Sequence, residues 1–532
     1  MKLSRKAMIE LFALVISLNI ILRFTFVPHE VGWDNFAIHA MATSISAFGY
    51  ANWWIHPASV LGSYPYSTSP SATPFLLSGI SQCTGVNIDL VILLFDIFLG
   101  LFCIFAVYIM AGAIWDNDIF KFIAAFVFST SQGIVTYTTW TAPARTLFVI
   151  FVPFFVYLLL RTRTFKVRFS MVTFIILALL LVTHHYVYFA IPIIISYLIL
   201  TIFYKFGDYI KSVRMPEKIA NIGILASFFI MFSINFFTRT IMEKDPHGVG
   251  SRYEFISSYM VENYTRYIGI LIIFIIGGYI YLTLKKRKKF EEWFLVLTLA
   301  ILAPLLYMPT YMKWYLPAFA CLFIGIALVN IDIAETRRRK AKKGKKGMHV
   351  LLITLLLLSI IFTGYYQYLH FLNVPDPHKR YMEERTYVGG LWIKDNVDKP
   401  VVAIAEDHIT LRVFSTSEVP TLTGVGAADL AYGFVDPKKL EVKQVHSPFS
   451  LKFYFYEPYK TVNHTLTSTF VGKFSGSDIN AVPKNWVIRS MPRFNLSYYV
   501  ENKDISNPFT RSVQQTKEKV YDNGKIRVWC LD

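Results

Sequence analysis

Apolar runs close to the length that crosses a bilayer recur about eleven times in the first 370 residues, and no other property of the sequence limits its fold as strongly. About 20 apolar residues make a helix of about 30 Å, which spans the hydrocarbon core while satisfying its own backbone. The runs fall near 7–28, 89–114, 119–138, 146–160, 170–184, 187–204, 219–238, 267–284, 292–308, 316–332 and 349–370. They predict a polytopic α-helical membrane protein of about eleven transmembrane helices. Composition agrees, with 54% hydrophobic residues against 17% charged. The first run is too long for a signal-peptide core and ends in Arg23-Phe-Thr-Phe-Val-Pro28 rather than in small residues, so it reads as a retained span.

The net charge of +18 would suit a nucleic-acid partner in a soluble protein. Here the basic clusters, Lys2/Arg5/Lys6, Arg161 to Arg168, Lys205 to Lys218, Lys285 to Lys289 and Arg337 to Lys346, all fall on one side of the predicted membrane. Under the positive-inside rule they place the N-terminus in the cytoplasm, and no nucleic acid is expected. The same parity places the loop 29–88, the loop 239–266 and the C-terminal segment outside. The sequons at Asn263, Asn463 and Asn495 fall on that outer side as well.

After His370 the composition turns polar. Residues 1–370 read as a transmembrane domain and 371–532 as an extracytoplasmic soluble α/β domain. Val401-Val-Ala-Ile-Ala405 and Leu411-Arg-Val-Phe414 have strand composition, Tyr387 to Asp395 reads as a helix, and Lys525-Ile-Arg-Val-Trp529 as a late strand. No Gly-rich phosphate loop, Ser elbow or metal-ligand cluster is visible in it. It is expected to cover a membrane site or hold an acceptor. Cys83 and Cys530 lie on the outer side, far apart in sequence.

The loop after the first span opens with Val31-Gly-Trp-Asp-Asn-Phe36, which puts Asp34 where membrane meets water. A carboxylate that loses hydration there needs a structural partner or a chemical task. Ile38, Met41, Ile45 and Phe48 follow at helical spacing and predict an interfacial helix that Asp34 caps, which fixes the side chain without removing its basicity. On the same side lie Arg23, His39, Asp96, Arg145, His184, His185 and Lys313. Each has a plain reading too: Arg145 as a snorkelling residue, Lys313 as an aromatic-belt anchor, the histidines as interfacial residues of which at most one faces a site. Asp96, about 10 Å deep, needs a partner, with Arg23 and Arg145 as candidates. Cations that hold a lipid phosphate beside a carboxylate that handles a proton are what transfer from a lipid-phosphate substrate requires.

A first span with an acid at its outer end, a long first loop with an interfacial helix, about a dozen spans and a C-terminal external domain together resemble the GT-C superfamily of membrane glycosyltransferases, in an archaeal flavour. The resemblance implies transfer of a hexosyl or pentosyl unit from a polyprenyl-phosphate (dolichyl-phosphate) donor by a multi-pass protein of the cell membrane. It gives the catalytic role to the first-loop acid, which maps onto Asp34, with Glu30 the nearest competitor. The soluble domain lacks a Trp-Trp-Asp-Tyr-Gly signature: Asn52-Trp-Trp-Ile55 lies in the first loop, and Asp116-Asn-Asp118 falls on the cytoplasmic side. Transfer of a whole glycan to Asn is thereby disfavoured.

The expected chemistry is inverting transfer to an acceptor hydroxyl on a glycan, lipid or protein, with Asp34 as base and Arg145, His184 or His185, and Lys313 neutralising the departing lipid phosphate. The 239–266 loop, with Glu243, Asp245, His247, Arg252 and Glu254, reads as a lid over the sugar or an acceptor contact. A divalent metal has room in this loop and is not required. The rival readings are a transporter or flippase for a polyprenyl-linked substrate and a non-catalytic glycan-assembly protein. A transporter calls for broken helices in matched halves, and no internal repeat is visible.

Overall fold

The computed structural model describes residues 3–24, 27–48, 72–141, 144–163, 166–206, 217–238, 251–338, 345–372, 381–397, 402–405, 412–413, 415–417, 421–423, 442–446, 452–456, 487–490, 496–503, 514–515 and 517–530. Helix α1 (Arg5–Leu22) starts where Ser4 Oγ accepts the Ala7 amide at 3.2 Å. It is followed by α2 (Trp33–Phe48), α3 (Ala72–Thr84) and α4 (Ile88–Ile114). Asn117 Oδ1 caps α5 (Asp118–Thr130) by accepting the Ile119 amide at 3.1 Å, and the chain breaks at Ser131 before the short α6 (Gln132–Val135). Next come α7 (Ala144–Thr162), α8 (Lys166–Thr183), a 3-10 turn at His185–Phe189, α9 (Ala190–Phe206) and α10 (Glu217–Thr238).

The following segments are bent. Helix α11 (Arg252–Glu254) continues through a π turn into α12 (Val261–Ile268) and stops at Gly269, whose φ of 100° suits glycine. The chain then turns by 108° into α13 (Ile273–Leu284). After α14 (Phe290–Leu302), α15 (Pro309–Tyr315) meets α16 (Pro317–Arg338) at 60°, and α17 (Lys345–Leu372) closes the bundle.

Among the described residues six helices are long and apolar enough to cross a membrane, eight if each bent pair is one span. The remaining predicted runs correspond to α1, which opens on Arg5, Lys6 and Glu10, to α5, which stops at Ser131, and to the shorter α8. At the centre, α4 buries Leu99, Cys103, Val107 and Ala111, one turn apart, against α5 and α7. The outer surface is the reverse of a soluble protein's: Phe174, Phe203 and Ile361 are about two-thirds or more exposed, as lipid-facing residues are.

In the C-terminal part, α18 (Glu384–Asn396) packs on a five-stranded sheet built from β1 (Val402–Ala405), β2 (Thr421–Thr423), β6 (Leu496–Asn502), β7 (Glu518–Asp522) and β8 (Ile526–Cys530). Its order is β2-β1-β6-β8-β7, with β1 parallel to both neighbours and β8 antiparallel to both of its own. Ile393, Val397, Val413, Val500, Ile526 and Val528 form its core. A second sheet joins β3 (Val442–His446), β4 (Lys452–Tyr456) and β5 (Val487–Ser490) in antiparallel register. One expectation is corrected: Arg412 and Val413, within the stretch 411–414 expected as a strand, are helical, as are Ser415–Ser417, and Thr416 Oγ1 bonds back to the Arg412 carbonyl at 3.1 Å as a helical hydroxyl does. All four cysteines are free.

Candidate active site

Three cations meet over one group of aromatic rings. Arg145, in the first turn of α7, lies 5.4 Å from the Tyr137 ring centroid and 5.6 Å from that of Trp314. Lys313 Nζ lies 4.5 Å from the Tyr267 ring and 5.1 Å from Trp314. Arg266 lies 5.7 Å from Tyr267 and 5.8 Å from Tyr366. Tyr137 and Tyr267 both stand edge-on to Trp314, so the indole is the shared wall. Each such contact is worth about 0.5–2 kcal/mol. Lys313 also feels the charge of both arginines, a repulsion that an anion held among them would relieve. A cleft lined by Gly133, Tyr137, Arg145, Thr146 and Trp314 opens beside them.

The two bent helices supply two of these cations. Arg266 stands just before the Gly269 break and Lys313 just before the α15–α16 bend. Interrupted helices at membrane depth are tolerated where they line a site buried in protein.

The first loop is tied to the same region through the turn that leads into α7. Val31 donates its amide to the Trp140 carbonyl at 2.9 Å, and the next amide, of Thr141, donates to Asp96 Oδ2. Trp140 adopts a φ of 50°, a left-handed conformation that non-glycine residues rarely hold without compensation. Asp34 lies in the first turn of α2, and its side chain is outside the described residues. The helix begins at Trp33, so the position before its first turn is taken by Gly32. Gly32 has a φ of 99°, and its carbonyl accepts the Asn35 and Phe36 amides at 3.1 and 3.2 Å as the first bonds of the helix.

Glu30, buried at 1% exposure, fastens this loop from below. Its Oε2 accepts from Asn35 Nδ2 and its Oε1 pairs with His39 Nδ1, both at 2.8 Å, while Ser415 Oγ donates to Oε1 at 3.5 Å. The Glu30 carbonyl accepts the Met382 amide at 2.9 Å beside an antiparallel bridge from Val31 to Tyr381. His29 stacks on Tyr387 at 3.9 Å, with Nε2 at 2.8 Å from Glu384 and Nδ1 at 3.8 Å from Asp89. Burial alone would lower its pKa, but Asp89 and Glu384 outweigh burial and raise it.

Of the two partners expected for Asp96, Arg23 is buried and feels its charge without a direct ion pair. The guanidinium lies across Gly100, where a side chain would collide with it, and donates to Thr138 Oγ1 at 2.8 Å and Asn19 Oδ1 at 2.7 Å. His184 caps the 3-10 turn, with Nδ1 accepting the Tyr186 amide at 3.1 Å, and is linked to the cation group through rings: Tyr186 stands edge-on to Tyr311, on the same short helix as Lys313. The His185 side chain lies outside the described residues.

The expectation that 239–266 is a loop is corrected in part. Residues 239–250, with Glu243, Asp245 and His247, lie outside the described residues, but from Arg252 the segment is helix rather than loop. Arg252 and Glu254 form its first turn, where Ser251 Oγ accepts the Glu254 amide at 3.1 Å. Among the described residues no three His, Cys, Asp or Glu side chains gather as a metal-ligand set.

No protein-family model and no curated protein matches the sequence. Solved structures do match in fold. The Archaeoglobus fulgidus oligosaccharyltransferase in its apo form aligns with a TM-score of 0.57 at 12% identity, over 93% of this chain and 69% of that one. The same enzyme tethered to an acceptor peptide with an NVT sequon gives 0.55 at 12% identity, over 98% and 82%. AglB of A. fulgidus with an inhibitory peptide and a dolichol-phosphate gives 0.52 at 10% identity, over 96% and 81%. The chain shares the fold of these membrane oligosaccharyltransferase structures.

Within this fold Arg145 and Lys313, both singled out in the sequence, come to one group of rings, and Arg266, which the sequence did not single out, joins them. That residue fell inside a segment read as loop, and its only local signal is the Gly269 that follows three residues on. The partners of Glu30 were also missed, because Ser415 is 385 residues away in sequence.

Proposed function

We propose that this chain is a membrane glycosyltransferase that moves a sugar from a polyprenyl-phosphate donor to an acceptor hydroxyl on the extracytoplasmic face. The observation that carries the reading is the meeting of Arg145, Lys313 and Arg266 around Trp314 and Tyr267 at two helix breaks, beside the loop that bears Asp34. A phosphate suits a place where three cations gather, and the apolar outer surface suits its lipid tail. The dolichol-phosphate bound by A. fulgidus AglB supports the same class of ligand.

In the proposed reaction the acceptor oxygen attacks the anomeric carbon from the face opposite the phosphate. Asp34 takes the hydroxyl proton, and the bond from the anomeric carbon to the phosphate oxygen breaks with its electron pair going to that oxygen. The lipid phosphate thereby gains one negative charge, which Arg145, Lys313 and Arg266 offset. General-base help of this kind is worth about 10²–10⁴ in rate. The test is transfer from purified dolichyl-phosphate hexoses and pentoses, wild type against Asp34→Asn. Loss of turnover with dolichyl phosphate still bound is expected, and undiminished turnover in the variant sinks the base. Donor binding with no transfer to any acceptor favours the transporter reading instead.

A further inference from the structure

Glu30 is close to the proposed base in sequence yet too buried to touch an acceptor, and its contacts point two ways. Toward α2 it holds Asn35 and His39, which follow Asp34 within the first two turns. Toward the C-terminal part it meets Ser415 through its carboxylate and Met382 through its carbonyl. The same seam includes Thr43 Oγ1 donating to the Ser415 carbonyl at 3.3 Å and the Arg412 guanidinium 5.2 Å from the Phe36 ring. A buried carboxylate costs several kcal/mol unless its oxygens are satisfied, and here donors from both sides of the seam satisfy them.

We propose that Glu30 is a positioning residue that clamps the first turns of α2 to the C-terminal domain, so that Asp34 is set in place only while that domain is seated. The clamp makes the C-terminal domain a participant in turnover. This inference rests on Asp34 acting as the base. Its own signature differs: losing the clamp lowers turnover by misplacing the base, with donor binding intact, because the cations are held by α7, α12 and α15. Misplacement of about 1 Å costs about 100-fold.

The decisive experiment is rescue. Val31 and Tyr381 face each other in the antiparallel bridge, at a spacing of about 4.5–5.5 Å between Cα atoms, which a disulfide accepts. In a background with Cys83 and Cys530 replaced by Ser, Glu30→Ala is expected to lose about 100-fold in turnover of dolichyl-phosphate hexose while dolichyl phosphate binds as in the wild type. Adding Val31→Cys and Tyr381→Cys should restore turnover when oxidised and lose it again on reduction. If the cross-linked protein stays as slow as Glu30→Ala alone, or if Glu30→Ala keeps full turnover, the clamp is overturned. If Glu30→Ala does not fold, His39→Gln and Ser415→Ala load the same seam more gently and must show the same split between turnover and donor binding. Full turnover in Asp34→Asn refutes the base separately, whatever the rescue shows.

Discussion

Val31 and Trp140 are joined by a hydrogen bond of 2.9 Å from the Val31 amide to the Trp140 carbonyl, and it brings two distant parts of the sequence into register. Three residues beyond Val31 stands Asp34, and five beyond Trp140 stands Arg145. The left-handed φ of Trp140 turns its carbonyl to the loop and the following amide to Asp96, so one strained residue serves both neighbours. A shared side of the membrane, inferred from charge, thus becomes a shared backbone junction.

The junction leaves no room at Gly32. Its φ of 99° is one that side chains avoid, and a Cβ there would stand 3.1 Å from Thr141 Oγ1. Gly32→Ala should lower stability by about 1–2 kcal/mol from the backbone alone and turnover by more than that loss explains. Thermal melting in detergent set beside turnover checks both. A variant with native melting and native turnover would show that the junction tolerates movement.

Removing one cation should weaken lipid-phosphate binding. A charged hydrogen bond is worth about 1.5–3 kcal/mol, so Arg145→Ala, Lys313→Ala and Arg266→Ala should each raise the Kd for dolichyl phosphate about 10- to 100-fold, measured by titration. Trp314→Leu should act on Arg145 and Lys313 together, since its indole is the surface they share. Unchanged affinity in Arg266→Ala would remove that residue from the site.

The membrane bundle was legible because an apolar run of the right length has few alternatives in lipid. Its breaks were not. The bend at Gly269 sits at one end of an apolar run, and the one before Pro317 lies inside an aromatic stretch, so hydropathy alone reads through both. Lys313 and Arg145 could be grouped from the sequence because both fall on one predicted side of the membrane. Arg266 could not, since only the fold shows that its helix starts at Arg252. The Glu30 seam was illegible for a different reason: its partners come from sequence positions hundreds of residues apart, and no local pattern records a long-range contact.

Gly100 makes a second close fit. Its Cβ position is filled by the Arg23 guanidinium, which is buried beside Asp96. Gly100→Leu should expel Arg23 from its hydrogen bonds to Thr138 and Asn19 and remove the positive charge near Asp96, a loss of about 1–3 kcal/mol per buried group left unpaired. Asp96→Asn in the same background should recover part of the stability, because the neutral amide does not need the arginine. Melting of the single and double variants tests this, and two losses that simply add would refute the coupling.

The last prediction concerns pH and the seam beside Glu30. His29 is faced by Asp89 from α4, by Glu384 and Tyr387 from α18, and by the Trp140 ring. Its pKa is raised in the folded protein, burial opposing the shift and the two carboxylates outweighing burial. A group with a raised folded pKa lends its full stability below the unfolded value, about 6.5, and loses it as pH climbs through the folded value. The hold of α18 on the first loop should therefore weaken as pH rises above about 6.5. Limited proteolysis of the C-terminal domain across that range should show faster cleavage at higher pH in the wild type and a flat profile in His29→Gln. A wild-type profile that is flat, or steeper at low pH, would refute the assignment.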